Sequence, residues 1–350
     1  MIQLKNNCNG KMIRIDGSYL EGGGQIMRTA LSLAAITGKK FKINKIREGR
    51  PEPGIKEQHL QSIKLLSRIC RGQENVSFGD KEFEFKPGKI ENEKFKAEIK
   101  TAGSTALLLN TVMPLTFEKS LQVEVKGGGT WNKFAPPLLY LKRVLLPLLR
   151  KFGLEAEIKV EKEGFYPKGG AKLRFIGKKW EANKEIKLTD FNKPEKINIW
   201  SIATNHLKKP KVADRQANEA EKIIKEKENV AINKNIRYVE ARCPGSGLLV
   251  CDNNLLVSDS LGEKGKSSEK VAREAASNYL NGVKNKARID KYGADQLMVW
   301  MALASQNTGK DSKIKTSKIS KHAKTNAYVI EKFLPVKFEF NKKIIIFLKK

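Results

Sequence analysis

MIRIDGSYLEGGGQIMRTALSLAAITG, Met12 to Gly38, reads as a strand, a glycine loop and a helix, in that order. Ile13 and Ile15 alternate with Arg14 over Met12–Asp16, the period of a short strand. Gly17 opens a loop that holds Glu21-Gly22-Gly23-Gly24-Gln25, and Ile26–Thr37 is apolar at helical spacing until Gly38 closes it. Three adjacent glycines let backbone approach a ligand closely, with N–H groups free to meet phosphate. Glu21 at the mouth of such a loop can hold Mg²⁺ against phosphates. Arg28, one turn into the helix, can pair with another phosphate. An ordinary tight turn would use the same glycines, so the loop alone leaves both readings open.

The same grammar recurs downstream. Phe41–Ile46 is a strand, and IREGRPEPGIKEQHL, Ile46 to Leu60, is an irregular loop enforced by Pro51, Pro53 and Gly54. A helix over Ile55–Cys70 turns Leu60, Ile63, Leu66 and Ile69 inward. Arg47, Arg50 and His59 cluster around the loop, where arginines suit bidentate phosphate binding or serve as ordinary surface charge. Strands at Phe83–Phe85 and Phe95–Ile99 lead to the small-residue loop Thr101-Ala-Gly-Ser104 and a helix, Thr105–Leu115. Leu121–Val125 is a strand, followed by Gly127-Gly128-Gly129-Thr130, Phe134-Ala-Pro-Pro137 and a long helix, Leu138–Phe152. Glu155–Val160 and Lys172–Phe175 are strands flanking Gly164–Gly170. The predicted class is therefore α/β (α+β), built from repeated β-α-β units. The letters themselves repeat at no fixed period.

From roughly Glu185 to Asn281 the character changes. Strands at Ile197–Ala203, Val239–Arg242 and Leu248–Cys251, with helices at Lys211–Lys227 and Ser267–Leu280, make a small α/β domain. This gives a large domain over 12–185 and 282–345, and an inserted one over 186–281. Gly262-Glu-Lys-Gly-Lys-Ser267 has the look of a phosphate loop but fails its spacing, because Ser260 stands where the first glycine belongs. It reads as a helix-entry loop.

Tyr292-Gly293-Ala294-Asp295-Gln296 opens the last unit, and Leu297–Ala304 continues as a helix. In SKHAKTNAYVIEKFLPVKFEF, Ser320 to Phe340, the residues Ala323, Ala327, Ile330 and Leu334 recur at helical spacing until Pro335, and a strand over Val336–Phe340 follows. His322, one of three histidines, falls in the first turn. There the unpaired N–H groups and the dipole favour an anion and disfavour imidazolium, which leaves a neutral, nucleophilic ring. A surface histidine capping a helix is the competing reading.

The chain of 350 residues is 40% hydrophobic and 30% charged, as soluble globular proteins are. No apolar run approaches a membrane span. The opening MIQLKNNCNGKM lacks the apolar core of a signal peptide, and cytoplasmic localisation is expected. A net charge of +30 implies a polyanionic partner, although thermal adaptation can produce the same lysine excess. Cys8, Cys70, Cys243 and Cys251 form no C-x-x-C pair, so reduced thiols and no zinc site are expected. Nothing indicates an oligomer.

Across Ile13–Phe340 these motifs resemble the RNA 3′-terminal phosphate cyclase family. The matching stretches are Glu21 to Arg28, Arg47 to Leu60, Gly164 to Gly170, Tyr292 to Gln296 and His322-x-x-Thr325-Asn326 to Val336. The resemblance implies a large catalytic domain of such repeats, with a small domain inserted between the third and fourth. It implies ATP-dependent conversion of an RNA 3′-phosphate to a 2′,3′-cyclic phosphate, with RNA 3′-phosphate ends and ATP as partners. His322 would carry AMP covalently, and AMP and pyrophosphate would be released. Glu21, Asn110, Pro136, Tyr292, Gly293, Ala294, Asp295 and Gln296 would bind ATP, with Tyr292 and Pro136 on the two faces of adenine. Glu21 would also hold Mg²⁺ or Mn²⁺, and Arg28, Arg47, Arg50 and His59 would contact the RNA end. A cyclase-like RNA-binding or ribosome-assembly protein without catalysis is the alternative, disfavoured by the presence of His322. Three residues depart from the family pattern: Asn110 for Gln, Glu163 before Gly164 for Arg or His, and Ala171 for the third glycine.

Overall fold

A computed structural model describes residues 11–91 and 94–349; Cys8 and most of the opening segment lie outside them. The first unit runs β1 (Ile13–Asp16), α1 (Gly24–Thr37), β2 (Phe41–Asn44), α2 (Glu57–Ile69), β3 (Gln73–Glu74) and β4 (Phe83–Lys86). Gly38 takes the left-handed conformation at φ 72°, and its N–H closes α1 on Ala34 O. The sheet order is β1-β2-β4-β3, with β1 and β2 parallel and the other pairs antiparallel.

The second unit repeats that wiring: β5 (Lys94–Ser104), α3 (Thr105–Val112), β6 (Leu121–Gly129), α4 (Leu138–Tyr140), α5 (Leu146–Arg150), β7 (Ala156–Lys162) and β8 (Lys172–Gly177). Its order is β5-β6-β8-β7, again with only the first pair parallel. Two expectations change here. The loop at Thr101–Ser104 belongs to β5, which bulges between Ile99 and Ser104. The long helix expected over Leu138–Phe152 is interrupted by a π turn, Leu141–Leu145. Pro147, just inside α5, has no N–H for the carbonyl one turn back, and the wider turn absorbs that loss.

The third unit starts at β9 (Lys187–Leu188). The chain then leaves for β10 (Lys196–Thr204), α6 (Val212–Lys225), β11 (Ala231–Val239), β12 (Ser246–Asp252), β13 (Val257–Leu261) and α7 (Ser268–Lys284). It returns as α8 (Lys291–Thr308), β14 (Ser312–Lys315), α9 (Lys321–Phe333), β15 (Val336–Asn341) and β16 (Ile344–Lys349). The sheet β15-β16-β14-β9 has the wiring of the other two, with β9 and β14 parallel. So the described residues hold three like-wired units rather than four. The extra segment sits inside the third, after a first strand too short to show a period.

That segment forms its own sheet, β11-β10-β12-β13. Its faces separate by alternation: Leu248 and Val250 pack with Ile197, Ile199 and the α6 and α7 helices, whereas Leu249 and Cys251 join the main core. β11 was expected later, at Val239–Arg242; AINKNIRYV is an edge strand without a fully buried residue, so no apolar run announces it. Entry and exit meet at Asn254, whose amide donates to Asn192 O at 3.1 Å and whose carbonyl accepts from Arg288 Nη1 at 2.5 Å. The sheet sits tightly on the second unit. A Cβ on Gly247 would stand 2.2 Å from the Trp131 ring, and one on Gly245 2.3 Å from Phe165. Among the described residues no helix is long and apolar enough to cross a membrane.

Candidate active site

Two helix N-termini converge on His322. α1 begins at the glycine run, with Gly23 as its N-cap, and α9 begins at Ser320, whose Oγ accepts from Ala323 N at 3.0 Å. A Cβ on Gly23 would meet Arg50 Nη2 at 3.4 Å and His322 Cε1 at 4.0 Å. One on Gly24 would overlap His59 Nε2 at 2.4 Å. Gly24 is thus needed for the close approach of His59, whereas a Cβ on Gly23 would make ordinary contacts with Arg50 and His322.

Glu21, at the mouth of the loop, accepts from Arg50 Nη2 at 3.2 Å, and the same oxygen lies 4.0 Å from His322 Nε2. Burial pushes the His322 pKa below the ordinary 6.5; Glu21 raises it, and Arg28 and Arg50 lower it further. The imidazole is neutral at pH 7. Its Nδ1 is buried without a hydrogen-bond partner.

Behind the histidine, Asn326 ties three helices together. Its Oδ1 accepts from Thr29 Oγ1 at 2.8 Å, and its Nδ2 donates to Asp295 O at 2.7 Å. Asp295 is only 6% exposed. Burial and Asp290 push its carboxyl well above the usual carboxylate range, against Ser320 and Arg28. Burial lowers Arg28 to about 10, so its guanidinium stays charged at neutral pH.

A cavity of about 930 Å³ opens beside these groups. Arg28 and His322 line it together with Asn110, Pro136, Tyr292, Asp295 and Gln296. The expected nucleotide residues thus largely meet. Asn110 Nδ2 donates to Gln296 Oε1 at 3.1 Å, which joins α3 to α8. Tyr292 is 52% exposed, with Lys291 Nζ 4.5 Å from its ring centre. Gly293 and Ala294 pack away from the cavity. A Cβ on Gly293 would lie 2.4 Å from Tyr140 Oη, and Ala294 is buried in the core.

The expected RNA-end residues separate. Arg28 and Arg50 flank His322 as described. Arg47, at φ 55°, donates from Nη1 to Glu52 O at 2.9 Å and Gly54 O at 3.1 Å, which clamps its own loop. His59 is 3% exposed, and its Nδ1 accepts from Lys56 N at 3.1 Å. Burial first, then Arg28, Arg47 and Lys56, push its pKa down to about 3. His59 therefore supports the loop from beneath and presents no open face.

Lys266 of the phosphate-loop look-alike donates to Ser260 Oγ and Leu261 O, both at 3.0 Å, and pairs with Glu274, while Ser267 caps α7. Glu163 is buried, its Oε2 accepting from Thr130 Oγ1 at 2.5 Å. Ala171 N donates to Gly128 O at 3.2 Å. Both departures are absorbed where the 127–130 and 164–171 segments pair, outside the cavity wall.

Sequence reasoning missed one wall. Val257–Leu261 of β13 and residues of α7 line the cavity, including Asp259, which burial and Asp290 raise to about 7. Asp290 caps α8, its Oδ1 accepting from Tyr292 N and Gly293 N at 2.9 Å and its Oδ2 from Tyr140 Oη at 3.1 Å. An aspartate just before a helix is a readable cap signal. Asp259 carries no local signal, since only the folded insert brings it here. Among the described residues no group of three or more His, Cys, Asp or Glu side chains is arranged to hold a metal.

Comparison with known proteins matches residues 19–340 to the family model for RNA 3′-terminal phosphate cyclase. A protein of that name from Pyrococcus furiosus is 40% identical over 333 residues, 94% of this chain and 95% of the relative. One from Archaeoglobus fulgidus is 37% identical over 340 residues, 95% of this chain and 100% of the relative. Another, from Methanopyrus kandleri, is 35% identical over 344 residues, 95% and 96% of the two chains. With the motifs, the threefold wiring and the convergence on His322 in place, the chain belongs to the RNA 3′-terminal phosphate cyclase family.

Proposed function

We propose that the chain converts an RNA 3′-terminal phosphate to a 2′,3′-cyclic phosphate at the expense of ATP, through AMP bound covalently to His322. The observation that carries this is a neutral, half-buried imidazole in the first turn of α9, open to a cavity of nucleotide size and flanked by Arg28 and Arg50. An imidazole nitrogen attacks the α-phosphorus of ATP; the N–P bond forms and pyrophosphate leaves. An oxygen of the RNA 3′-phosphate then takes AMP from the histidine. Last, the neighbouring 2′-hydroxyl attacks the activated 3′-phosphorus, loses its proton and expels AMP. Each step is in-line displacement at phosphorus, so positioning and charge neutralisation supply most of the catalysis.

Tyr292 and Pro136 hold adenine from two sides, and the amides of Asn110 and Gln296 and the carboxyl of Asp295 recognise the nucleoside. Arg28 and Arg50 receive the phosphates, with Arg47 and His59 holding the loops that present them. A divalent cation fits as a companion of ATP. Glu21 is a single carboxylate, and Mg²⁺ commonly takes one or two carboxylates and completes its shell with phosphates and water. Mg²⁺ or Mn²⁺ would neutralise phosphate charge there, and Glu21 would exchange part of its contact with Arg50. The catalytic body takes in β1 to β9 and α8 to β16, and the insert is β10 to α7; the expected boundaries at 185/186 and 281/282 would cut β9 from its partner β14 and end α7 early. The buried free thiols Cys70, Cys243 and Cys251 agree with a cytoplasmic enzyme.

Incubation with ATP, Mg²⁺ or Mn²⁺ and an RNA ending in 3′-phosphate tests this. The expected products are a 2′,3′-cyclic end, AMP and pyrophosphate. A 3′-phosphate left intact under every metal would favour the non-catalytic RNA-binding reading.

A further inference from the structure

Phe134 is 94% exposed and Tyr166 is 76% exposed, the two highest values among the exposed large hydrophobic side chains of the described residues. They occupy neighbouring loops, 131–137 and 164–170. Thr130 N donates to Gly164 O at 2.8 Å, and Trp131 bridges Phe165 in parallel register. Phe134 holds φ 61°, a conformation unfavourable for a bulky side chain. The surroundings enforce it. Asn132 Nδ2 donates to Ala102 O at 2.6 Å, Leu138 N to Thr130 O at 2.7 Å, and Lys133 pairs with Glu263 at 3.1 Å. A ring held in water by a strained, tied-down loop needs a cause outside the folding of the chain.

The charge around the rings indicates the cause. Lys133 Nζ stands 5.6 Å from the Phe134 ring centre, and exposed Lys168 follows Tyr166 in its loop. The exposed Arg242 side chain lies against Gly170, where a Cβ would meet its Cδ at 2.5 Å. The patch is also continuous with the site. Lys133 and Phe134 line the edge of the same cavity as Pro136 and His322, and Gly169 of the neighbouring loop packs against Thr101 and Ala102. Aromatic faces interleaved with lysine and arginine are the composition of a single-strand platform, where bases stack and cations track the backbone.

We propose that Phe134 and Tyr166 stack bases upstream of the terminal dinucleotide, 5′ of the RNA 3′-phosphate, with Lys133, Lys168 and Arg242 beside their backbone. This rests on the cyclase reading above. The surface gives the enzyme a preference for single-stranded ends several nucleotides long, since base stacking tolerates any sequence.

The test compares KM for two substrates, a dinucleotide ending in 3′-phosphate and a single-stranded RNA of about ten nucleotides with the same end. The proteins are wild type, Phe134→Ala, Tyr166→Ala and the double variant, each checked by thermal melting. With ATP saturating for each protein, KM for the longer RNA should rise about tenfold in each single variant and more in the double, with KM for the dinucleotide within about twofold of wild type. Equal losses on both substrates, or no loss on either, would overturn the proposal. Direct binding of the labelled longer RNA is measured in parallel. Wild-type protein that binds it through these rings yet forms no cyclic end contradicts the cyclase reading alone, whereas turnover indifferent to the rings contradicts this surface alone.

Discussion

His59 and His322 lie one step apart in the same helix turn of two copies of one wiring. Each lies in the first turn of the second helix of its unit, α2 in the first and α9 in the third. At α2 the cap is Lys56, and its N–H is satisfied by the imidazole itself. That ring is sealed under the glycine loop with its pKa pushed down to about 3. At α9 the cap is Ser320, so the serine oxygen satisfies the helix end and His322 is left with an unpartnered Nδ1. One histidine builds the site and the other is available to react. The difference lies in the cap and in one step along the helix: His59 is the third residue after its cap and reaches back to it, whereas His322 is the second and leaves the capping to Ser320.

The largest expected effect breaks this pair directly. His322→Asn should reduce cyclisation by about a thousandfold or more, while His59→Asn keeps His322 chemistry and suffers mainly in stability. A rate assay on both variants checks it, and equal losses would erase the distinction. Next, Glu21→Ala should slow metal-dependent adenylation about a hundredfold. Because Glu21 raises the His322 pKa, the acid limb of the pH–rate profile should also move to lower pH in that variant.

A third expectation concerns stability. The folded pKa of His59 is depressed, so between about 3 and 6.5 the unfolded chain binds the extra proton. His59 therefore contributes stability that is present above pH 6.5 and lost as pH falls toward 3, at up to about 1.4 kcal/mol per pH unit. Denaturant titrations at several pH values should show this slope in wild type and lack it in His59→Gln. The smallest effect is at the serine. Ser320→Ala should cost about 1 kcal/mol in the same titrations, the usual loss for an N-cap.

The glycine loop, α1 and α9 were legible because a helix with one buried face and a marked stop writes its period into the letters. Gly38 and Pro335 supplied those stops. His322 could be placed in a first turn from Ser320 and the spacing of Ala323, Ala327 and Ile330. Less visible were elements whose partners are distant in sequence. β9 is two residues long, β11 is an edge strand, and β14, Ser312–Lys315, has a single turn of alternation. Each exists because a neighbouring strand completes its ladder. The threefold wiring was hidden for the same reason, since it resides in which strands pair. Among site residues, Tyr292, Pro136 and Gln296 were found through the family resemblance. The Asp259 wall and the burial of His59 were not, because both follow from packing across units.

The most direct measurement is to locate the adduct. Protein incubated with α-labelled ATP and a divalent metal, then digested, should yield one labelled peptide containing His322. Its bond should be labile in acid and stable in alkali, as a phosphoramidate is and a serine phosphate ester is not. Addition of RNA with a 3′-phosphate should discharge the label, and RNA with a 3′-hydroxyl should leave it in place. A label on His59, on His206 or on an alkali-labile residue, or an adduct that persists in His322→Asn, would contradict the assignment of His322 as the nucleophile.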